Sequence, residues 1–311
     1  MIHLLYVQKR EILAIHSPQV ENFVASRLPE VSLRFSDGTP HSDDARADWI
    51  IAPAAAWAEP LLNRASKASW IHFQGAGTDQ LDSFIASRPD LRFTTSSGVN
   101  ADTIAEYVTA ALLHFAKDFD LLLAGQREGR WERRWLRELT GSTVVIFGTG
   151  RIGEATARRL RPFGVRLIGV SRSGRSIEPF DETWPAGRLH DVLPRADAVV
   201  IAAPLTDETA GAFGADQLGL LPDHCVIINV ARGGILDETA LRERLVDHRL
   251  RGAALDVFEE EPLPPSSALW RTPRLLITPH VAGTTQLYLD RMLEGFARSI
   301  PPEQIARPDL S

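Results

Sequence analysis

The feature that most constrains the fold is a glycine-rich turn between an apolar run and an amphipathic stretch. The run Thr143–Phe147 is followed at once by a hexapeptide of G-x-G-x-x-G spacing, and residues 154–163 predict a helix. The first glycine permits a tight turn, the second lets a pyrophosphate approach the backbone, and the third lets the helix pack on the strand. The order strand, turn, helix therefore favours a dinucleotide site at the helix N-terminus over a turn without a ligand. The expected cofactor-binding residues of this loop are Gly148, Gly150, Arg151, Ile152 and Gly153.

Short apolar runs rich in β-branched residues recur along the rest of the chain. They occupy residues 143–147, 166–170, 198–202, 226–230, 253–257 and 275–278, with helical or loop stretches between them. Such alternation is typical of a parallel sheet covered by helices on both faces. We therefore predict a Rossmann-type doubly wound parallel sheet here.

The N-terminal part of the chain also alternates between strands and helices. Apolar runs at 2–7, 49–52, 70–73 and 91–94 predict a smaller, flavodoxin-like α/β domain. With 311 residues, the chain has room for two domains. We expect one domain of residues 1–99 plus 283–311 and a second of residues 100–282, with a helix at 285–300 returning to the first. The Pro-rich tail 301–311 is expected to be poorly ordered.

A long amphipathic stretch, residues 101–126, predicts a single helix between the two domains. Its apolar positions from Ile104 to Leu122 share one face, and an arm with Trp131 and Trp135 follows. Together they predict a two-fold homodimer. The alternative is that the helix buries this face within its own domain.

The composition excludes several classes of function. Lys and Arg number 34 against 40 Asp and Glu, a net charge of −6, so no basic surplus favours nucleic acid or an anionic membrane as partner. Cys225 is the only cysteine, which excludes an internal disulfide and a Cys-rich zinc site, and we expect no metal. The N-terminus lacks the order of a signal peptide and no apolar stretch is long enough to span a bilayer, so we predict a cytoplasmic protein.

Polar residues directly after the apolar runs are the candidates for chemistry, because ligands of an open parallel sheet bind at the carboxyl ends of its strands. Arg232, the acidic group Glu259, Glu260 and Glu261, and His280 all follow such runs. A neutral His accepts a hydroxyl proton near neutral pH, and its imidazolium form returns it. A carboxylate on the other ring nitrogen favours the charged form, and here the three glutamates remain open. An Arg binds a 2-oxo acid through its planar fork and polarises the carbonyl.

These residues resemble a known family, the D-isomer-specific 2-hydroxyacid dehydrogenases. The stretches that carry the resemblance, in family order, are Gln74-Gly75-Ala76-Gly77-Thr78-Asp79, Gly98-Val99-Asn100, the glycine loop, Ala203-Pro204-Leu205-Thr206 with Thr209, Asn229-Val230-Ala231-Arg232-Gly233-Gly234, Ala254-Leu255-Asp256-Val257-Phe258 and Thr278-Pro279-His280. The resemblance implies an NAD(P)-dependent oxidoreductase that interconverts a small 2-oxo acid and its D-2-hydroxy acid. Within this family the sequence is most similar to the glyoxylate and hydroxypyruvate reductases, because no regulatory domain follows His280.

The resemblance also implies roles for individual residues. Arg232, Glu261 and His280 would be catalytic, and the spacing 261 − 232 = 29 selects Glu261 among the three glutamates. The backbone amides of Ala76 and Gly77 would bind the substrate carboxylate together with Arg232. The first domain would then bind substrate and the second the dinucleotide. Cofactor contacts are implied for Asn100, Thr103, Pro204, Thr209, Ala231 and Asp256, the last on the nicotinamide carboxamide.

The chain departs from the family at the acid that usually binds the adenosine ribose. Ser171 stands there, 171 − 153 = 18 residues after Gly153, so no carboxylate at this position repels a 2′-phosphate. Arg172, Ser173 and Arg175 follow, and their guanidinium and hydroxyl groups can bind phosphate. This pattern predicts NADP as the preferred cofactor, with NAD as the alternative if the arginines face water.

Two other functions fit the same fold. A dinucleotide-sensing binding protein would need the glycine loop but not Arg232, Glu261 and His280, so their presence favours an enzyme. Oxidation of formate or phosphite would use the same cofactor cleft with a different pocket. The side chains that line the pocket come from scattered loops, so the sequence leaves the substrate open.

Overall fold

A computed structural model describes residues 1–301 of the chain. Internal contacts divide it into two compact units, Asn100–Thr284 and a unit of Met1–Val99 with the described residues from Thr285 onward. Each unit is a parallel sheet with helices packed on it, which confirms the predicted α/β fold class. The predicted C-terminal tail lies, apart from Pro301, outside the described residues.

The described strands are short and the helices range from about one turn to about five turns. The strands are β1 (Ile2–Val7), β2 (Val31–Ser36), β3 (Trp49–Ala52), β4 (Trp70–Phe73), β5 (Arg92–Thr95), β6 (Thr143–Phe147), β7 (Arg166–Ser171), β8 (Glu182–Pro185), β9 (Ala198–Ile201), β10 (Val226–Asn229), β11 (Gly252–Leu255) and β12 (Leu275–Ile277). The helices are α1 (Arg10–Arg27), α2 (Glu59–Arg64), α3 (Asp82–Ser87), α4 (Ala101–Ala116), α5 (Phe119–Arg127), α6 (Arg151–Leu160), α7 (Leu189–Val192), α8 (Ala215–Gly219), α9 (Glu238–Val246) and α10 (Tyr288–Arg298).

The sheet of the first unit has the strand order β2-β1-β3-β4-β5, with every pair parallel. This is the order of flavodoxin-like folds. Successive side chains of a strand face opposite sides, so Leu5 and Ile50 join one buried cluster while Leu4 and Tyr6 join the other. Phe296 of α10 packs into the second cluster, so the last described helix belongs to this unit.

The sheet of the second unit has the order β12-β11-β10-β9-β6-β7-β8, again with every pair parallel. The chain runs outward from β6 to β8 on one side and from β9 to β12 on the other, so the strand order reverses between β6 and β9. In open parallel sheets this reversal opens a crevice at the carboxyl ends of the strands, where ligands bind. The glycine loop follows β6 at this crevice.

Two strands escaped the sequence prediction, β2 and β8. Both are edge strands of their sheets, and their sequences are VSLRFS and ETWP. An edge strand has a partner on one side only and tolerates polar and charged residues, so neither sequence is a continuous apolar run, and β2 alternates between apolar and polar residues.

The prediction of a single helix over residues 101–126 is wrong, because this stretch forms two helices, α4 and α5. Asp118 interrupts it with a left-handed φ of 48°. The Asp118 carboxylate accepts hydrogen bonds from Arg251 at 2.9 Å and Arg274 at 3.0 Å. These partners lie far along the chain, so local sequence gives no sign of the break.

The apolar face of α4 is not available for a partner subunit. Val108, Leu112 and Phe115 are buried in the core of their own unit, in one cluster with Val144 and Ile146 of β6. This corrects the expectation that this face lies in a dimer interface. Among residues 1–301, none of the helices is both long and apolar enough to cross a bilayer.

Candidate functional site

Two glycines of the loop after β6 are required by close backbone contacts. A Cβ on Gly148, whose φ is +107°, would lie 2.5 Å from the backbone nitrogen of Ala203, and one on Gly153 would lie 1.9 Å from the carbonyl oxygen of Gly148. A Cβ on Gly150 would meet no atom within 4 Å among residues 1–301, its chain neighbours aside. The first and third glycines therefore shape the turn, and the second faces open space at the N-terminus of α6.

A cavity of about 750 Å³ lies in front of this loop, between the segment after β7 and the segment after β9. Its volume is in the range of cofactor sites, which spans roughly 300–1,000 Å³. The predicted cofactor residues in its wall are Gly148, Gly150, Ser171, Arg172, Pro204 and Thr209. Ser173 and Arg175 lie outside the wall, and the side chain of Ile152 packs instead against a buried cluster of the same unit. Arg151 is the first residue of α6.

The rim of this cavity carries an ion pair that was not predicted. The Nε of Arg172 donates to Oε2 of Glu208 at 3.0 Å, and both side chains are exposed. Ser171, at the end of β7, accepts the N–H of Gly174 on its hydroxyl. Position 171 has no acid, as the sequence shows, but a carboxylate from a different loop stands beside Arg172.

Thr209 fixes the shape of the opposite wall. Its hydroxyl donates to the carbonyl of Pro204 at 2.6 Å and accepts the N–H of Thr206 at 2.8 Å. These bonds close the segment after β9 into a compact turn. Thr209 therefore positions Glu208, its neighbour in sequence, at the cavity.

His280 and Glu261 form a hydrogen-bonded pair in the second unit. The Nδ1 of His280 is 2.8 Å from Oε2 of Glu261, and the imidazole is half exposed. The other carboxylate oxygen of Glu261 accepts the N–H of Phe258 at 3.0 Å, which fixes the carboxylate in place. A carboxylate partner requires a proton on Nδ1, so Nε2 is the ring nitrogen that can exchange a proton with a ligand. Of the three glutamates left open by chemistry alone, Glu261 is the one that contacts the imidazole.

The turn that carries Arg232 is shaped by Asn229, the last residue of β10. The buried amide of Asn229 accepts the N–H of Ala231 at 3.0 Å and donates to the carbonyl of Arg232 at 2.8 Å. Arg232 in turn donates from Nη1 to the carbonyl of Ala231 at 2.8 Å. The side-chain bonds of Asn229 thus set the backbone path at both predicted site residues of this turn.

Gly233 places the Arg232 turn beside the loop that carries Glu261. A Cβ on Gly233 would lie 2.0 Å from the carbonyl carbon of Phe258 and 2.2 Å from the backbone nitrogen of Glu259. No side chain fits there, so the two segments touch through their backbones. The three predicted catalytic residues are therefore carried by segments of one rigidly packed loop cluster.

Asp256 holds the segment that contains His280. Its buried carboxylate accepts the N–H of Val281 and of Ala282, each at 2.9 Å, and the hydroxyl of Thr278 at 2.5 Å. Its carbonyl accepts the N–H of His280 at 2.8 Å. Asp256 is therefore a positioning residue for His280, and one acceptor site of its carboxylate remains for the implied carboxamide contact.

Tyr107 of α4 extends this network. Its hydroxyl is 2.8 Å from the hydroxyl of Thr278, and burial raises the pKa of Tyr107 to about 12. The phenol therefore stays neutral at ordinary pH and can donate or accept a hydrogen bond. It ties α4 to the segment that carries His280.

The predicted carboxylate-binding turn follows β4 in the first unit. Ala76 is exposed and Gly77 is partly buried. Within residues 1–301, no hydrogen bond takes up the N–H of either residue. Hydrogen bonds hold Gln74, the residue before this turn, in place. Its carbonyl accepts the hydroxyl of Tyr288 at 2.8 Å, and the side-chain amide of Gln74 donates to the carbonyl of Val7.

A second histidine, His72 of β4, lies fully buried two residues before this turn. Its Nδ1 is 2.8 Å from the hydroxyl of Thr94 and its Nε2 is 2.9 Å from the hydroxyl of Ser96. Burial lowers the pKa of His72 to about 4. It is therefore neutral near pH 7 and links β4 to β5.

Asn100 and Thr103 lie at the start of α4, in the second unit. The Oδ1 of Asn100 is buried and has no hydrogen-bond partner among residues 1–301. A Cβ on Gly283 would lie 3.2 Å from the Nδ2 of Asn100, so the first and last segments of the second unit pack against each other at these residues.

Sequence reasoning missed four residues that shape the site. Asn229 and Thr278 stood inside the family-like stretches, beside the predicted catalytic residues, and this adjacency was the available signal. Glu208 stands directly before Thr209, a predicted cofactor residue, and this adjacency was its signal. Tyr107 reaches the site from α4, and nothing in its local sequence marks it.

Comparison with known proteins agrees with this geometry. Residues 109–282 match the NAD-binding domain of the D-isomer specific 2-hydroxyacid dehydrogenases. D-3-phosphoglycerate dehydrogenase of Methanocaldococcus jannaschii is 30% identical over 235 residues, which cover 73% of this chain and 44% of that relative, less than half of its length. Glyoxylate reductase of Thermofilum pendens is 32% identical over 250 residues, covering 77% of this chain and 73% of the relative.

A solved structure resembles the chain over nearly its whole length. It is the NADPH-dependent glyoxylate/hydroxypyruvate reductase of Sinorhizobium meliloti in complex with NADP and malonate, with a TM-score of 0.76 and 28% identity over 94% of this chain and 90% of that one. The family match covers more than half of the chain, since 282 − 109 + 1 = 174 of 311 residues. The chain belongs to the D-isomer-specific 2-hydroxyacid dehydrogenase family.

Proposed function

We propose that this chain is an NADPH-preferring reductase of small 2-oxo acids such as glyoxylate or hydroxypyruvate, with the D-2-hydroxy acid as product. The observation that carries the proposal is the pair of His280 and Glu261 at 2.8 Å, packed beside the Arg232 turn. The names of the Thermofilum and Sinorhizobium proteins support glyoxylate as the type of substrate. The Sinorhizobium reductase, named as NADPH-dependent, supports the cofactor.

The second unit fits a nicotinamide dinucleotide. The open space at Gly150, the N-terminus of α6 and the cavity of about 750 Å³ form a cradle for a pyrophosphate and its two nucleosides. Ser171 and Arg172 would bind the adenosine end. At the nicotinamide end, the proposed contacts are Asn100, Thr103, Ala231 and Asp256. When bound, the cofactor supplies a hydride for reduction and accepts one in the reverse direction.

The chain's own residues would bind and protonate the substrate. The guanidinium of Arg232 and the free N–H groups of Ala76 and Gly77 would bind the carboxylate. As negative charge develops on the carbonyl oxygen, Arg232 stabilises it.

His280 completes the reduction as a general acid. Its imidazolium donates the proton from Nε2 to the carbonyl oxygen, which becomes the hydroxyl group. The Glu261 carboxylate stabilises the imidazolium before this transfer. In the reverse direction neutral His280 takes the hydroxyl proton. In this proposal Asn100–Thr284 is the dinucleotide-binding domain and the other unit is the substrate-binding domain.

The test is a panel of 2-oxo acids, with glyoxylate, hydroxypyruvate and pyruvate each combined with NADPH and NADH, and oxidation of 3-phosphoglycerate with both oxidised cofactors. We expect the highest kcat/KM with glyoxylate or hydroxypyruvate and NADPH. Absence of turnover with every acid would show that the chain is not such a reductase. Equal values for the two cofactors, or higher values with NADH, would refute the cofactor preference.

We also propose a two-fold homodimer. Trp131 and Trp135 are 96% and 100% exposed, and Phe119 and Leu123 of α5 are about half exposed. A monomer rarely leaves so many large apolar side chains in water. Light scattering at micromolar concentration should give the mass of two chains, and a double variant, Trp131→Ser with Trp135→Ser, should shift the mass toward one. A wild-type monomer would contradict the dimer.

A further inference from the structure

Glu208 brings a negative charge to the wall of the cavity assigned to the dinucleotide. Its Oε2 is 3.0 Å from Nε of Arg172, and both residues line that cavity. Arg172 follows β7 and Glu208 follows β9, the two strands that flank β6. The ion pair therefore joins the two segments on either side of the glycine loop.

The backbone at Glu208 is fixed while its side chain is not. The Thr209 hydroxyl bonds hold the turn, but the Glu208 side chain is 67% exposed and that of Arg172 is 81% exposed. Ion pairs between exposed side chains are weak, because water and salt screen them. A ligand with a stronger negative charge can therefore displace Glu208 from Arg172.

We propose that Glu208 determines how strongly the site discriminates between NADPH and NADH. A 2′-phosphate carries up to two negative charges and binds Arg through charge-assisted hydrogen bonds, so it competes with Glu208 for Arg172 and is repelled by the carboxylate. NADH has hydroxyl groups at this end and meets neither effect. The proposal rests on the cofactor assignment made above.

Glu208 thus supplies, from another loop, the charge that family members carry at the position of Ser171. An acid there would be held by the end of a strand. The carboxylate of Glu208 is instead at the end of an exposed side chain and can turn away from the phosphate. The expected result is a preference for NADPH that is smaller than Arg172 alone would give.

The test uses isothermal titration of the whole chain with two probes of the adenosine end, 2′,5′-ADP and 5′-AMP. Glu208→Gln should tighten binding of 2′,5′-ADP by about three- to tenfold, as expected for the loss of one nearby exposed like charge, and should change 5′-AMP by less than about twofold. The gain should shrink at high salt. The ratio of kcat/KM for NADPH and NADH should move in the same direction.

Two further variants separate the mechanism from a general change of charge. Asp207→Asn removes the same charge one residue away, from a side chain that is absent from the cavity wall, and should change the probe ratio less than Glu208→Gln. Arg172→Ala should weaken 2′,5′-ADP, and adding Glu208→Gln to it should give a smaller gain than in wild type, because no guanidinium is left to compete for.

The outcomes distinguish this inference from the proposal on which it rests. If wild type binds both probes equally but Glu208→Gln raises the ratio, the NADPH preference is wrong and the role of Glu208 stands. An unchanged or lower ratio in Glu208→Gln would overturn the role of Glu208. If no form of the chain binds either probe, the cofactor assignment fails and this inference fails with it.

Discussion

The chain contains two histidines at strand ends with opposite surroundings, His280 and His72. His280 is half exposed and contacts one carboxylate, Glu261. His72 is fully buried between the hydroxyls of Thr94 and Ser96, and burial lowers its pKa to about 4. A histidine with a charged partner and an open ring nitrogen can exchange protons with a ligand, whereas one enclosed by neutral hydroxyls serves as a fixed link in the structure.

The difference lies in the neighbours rather than in the strand position. Both histidines belong to segments at the carboxyl ends of parallel strands, where sequence reasoning searches for chemistry. The carboxylate partner of His280 comes from the loop after β11, and the two hydroxyl partners of His72 come from β5 and from the residue that follows it. The two residues are therefore expected to respond differently to substitution and to pH.

The largest effect is expected from removing the imidazole of His280. His280→Ala should lower kcat for glyoxylate reduction about 10²- to 10⁴-fold, the usual contribution of a positioned general acid. His72→Gln is the matched comparison and should lower kcat far less. The measurement is the steady-state rate at saturating NADPH. A wild-type rate in His280→Ala would contradict the assignment of His280 as the general acid.

A smaller effect is expected from separating the loops that carry Arg232 and Glu261. In Gly233→Ala the new Cβ would lie 2.0 Å from the backbone of Phe258, so the two segments must move apart. Misplacing catalytic groups by about 1 Å costs on the order of 10²-fold in rate. Gly234→Ala is the control, since the new Cβ would lie 3.6 Å from side-chain carbons of Leu205, an ordinary van der Waals distance. Equal activity of the two variants would show that the close contact is unimportant.

His72 is expected to affect stability rather than rate. Its pKa is about 4 in the folded chain and 6.5 in the unfolded reference, so between these values the unfolded chain binds more protons. The contribution of His72 to the free energy of unfolding is therefore fully present above pH 6.5. It falls as the pH is lowered toward 4, by about 3 kcal/mol in total. In His72→Gln this part of the pH dependence should disappear. Urea unfolding at pH values across this range would show it, and identical pH slopes in both proteins would contradict the buried neutral state.

The parts of the fold that follow regular patterns could be predicted from the sequence. The central strands, such as β6 and β10, are continuous apolar runs because both of their faces are buried. The edge strand β8 could not be predicted, since Glu182 bonds to Arg166 and Arg195 and its strand lacks an apolar run. The break at Asp118 was equally invisible, because its partners are arginines from distant loops.

The candidate site shows the same division. The spacing of Gly148 and Gly153 predicts a turn, and the structure explains each glycine by a close backbone contact. The contact between Arg172 and Glu208 depends on how two loops approach each other across β6. A single sequence lists the groups that can carry charge or protons, but their pairings are set by tertiary structure.

The central claim is that Glu261 supports the charged form of His280 during reduction. The most direct measurement is kcat/KM for glyoxylate with NADPH at a single pH in wild type and in Glu261→Gln, which keeps an oxygen acceptor for the imidazole N–H but removes the charge. Reduction needs the imidazolium, so loss of the adjacent opposite charge should lower kcat/KM by about tenfold or more, whereas Glu259→Gln, which removes a charge from the same loop, should lower it far less. Equal values of kcat/KM for the two variants would contradict the claim.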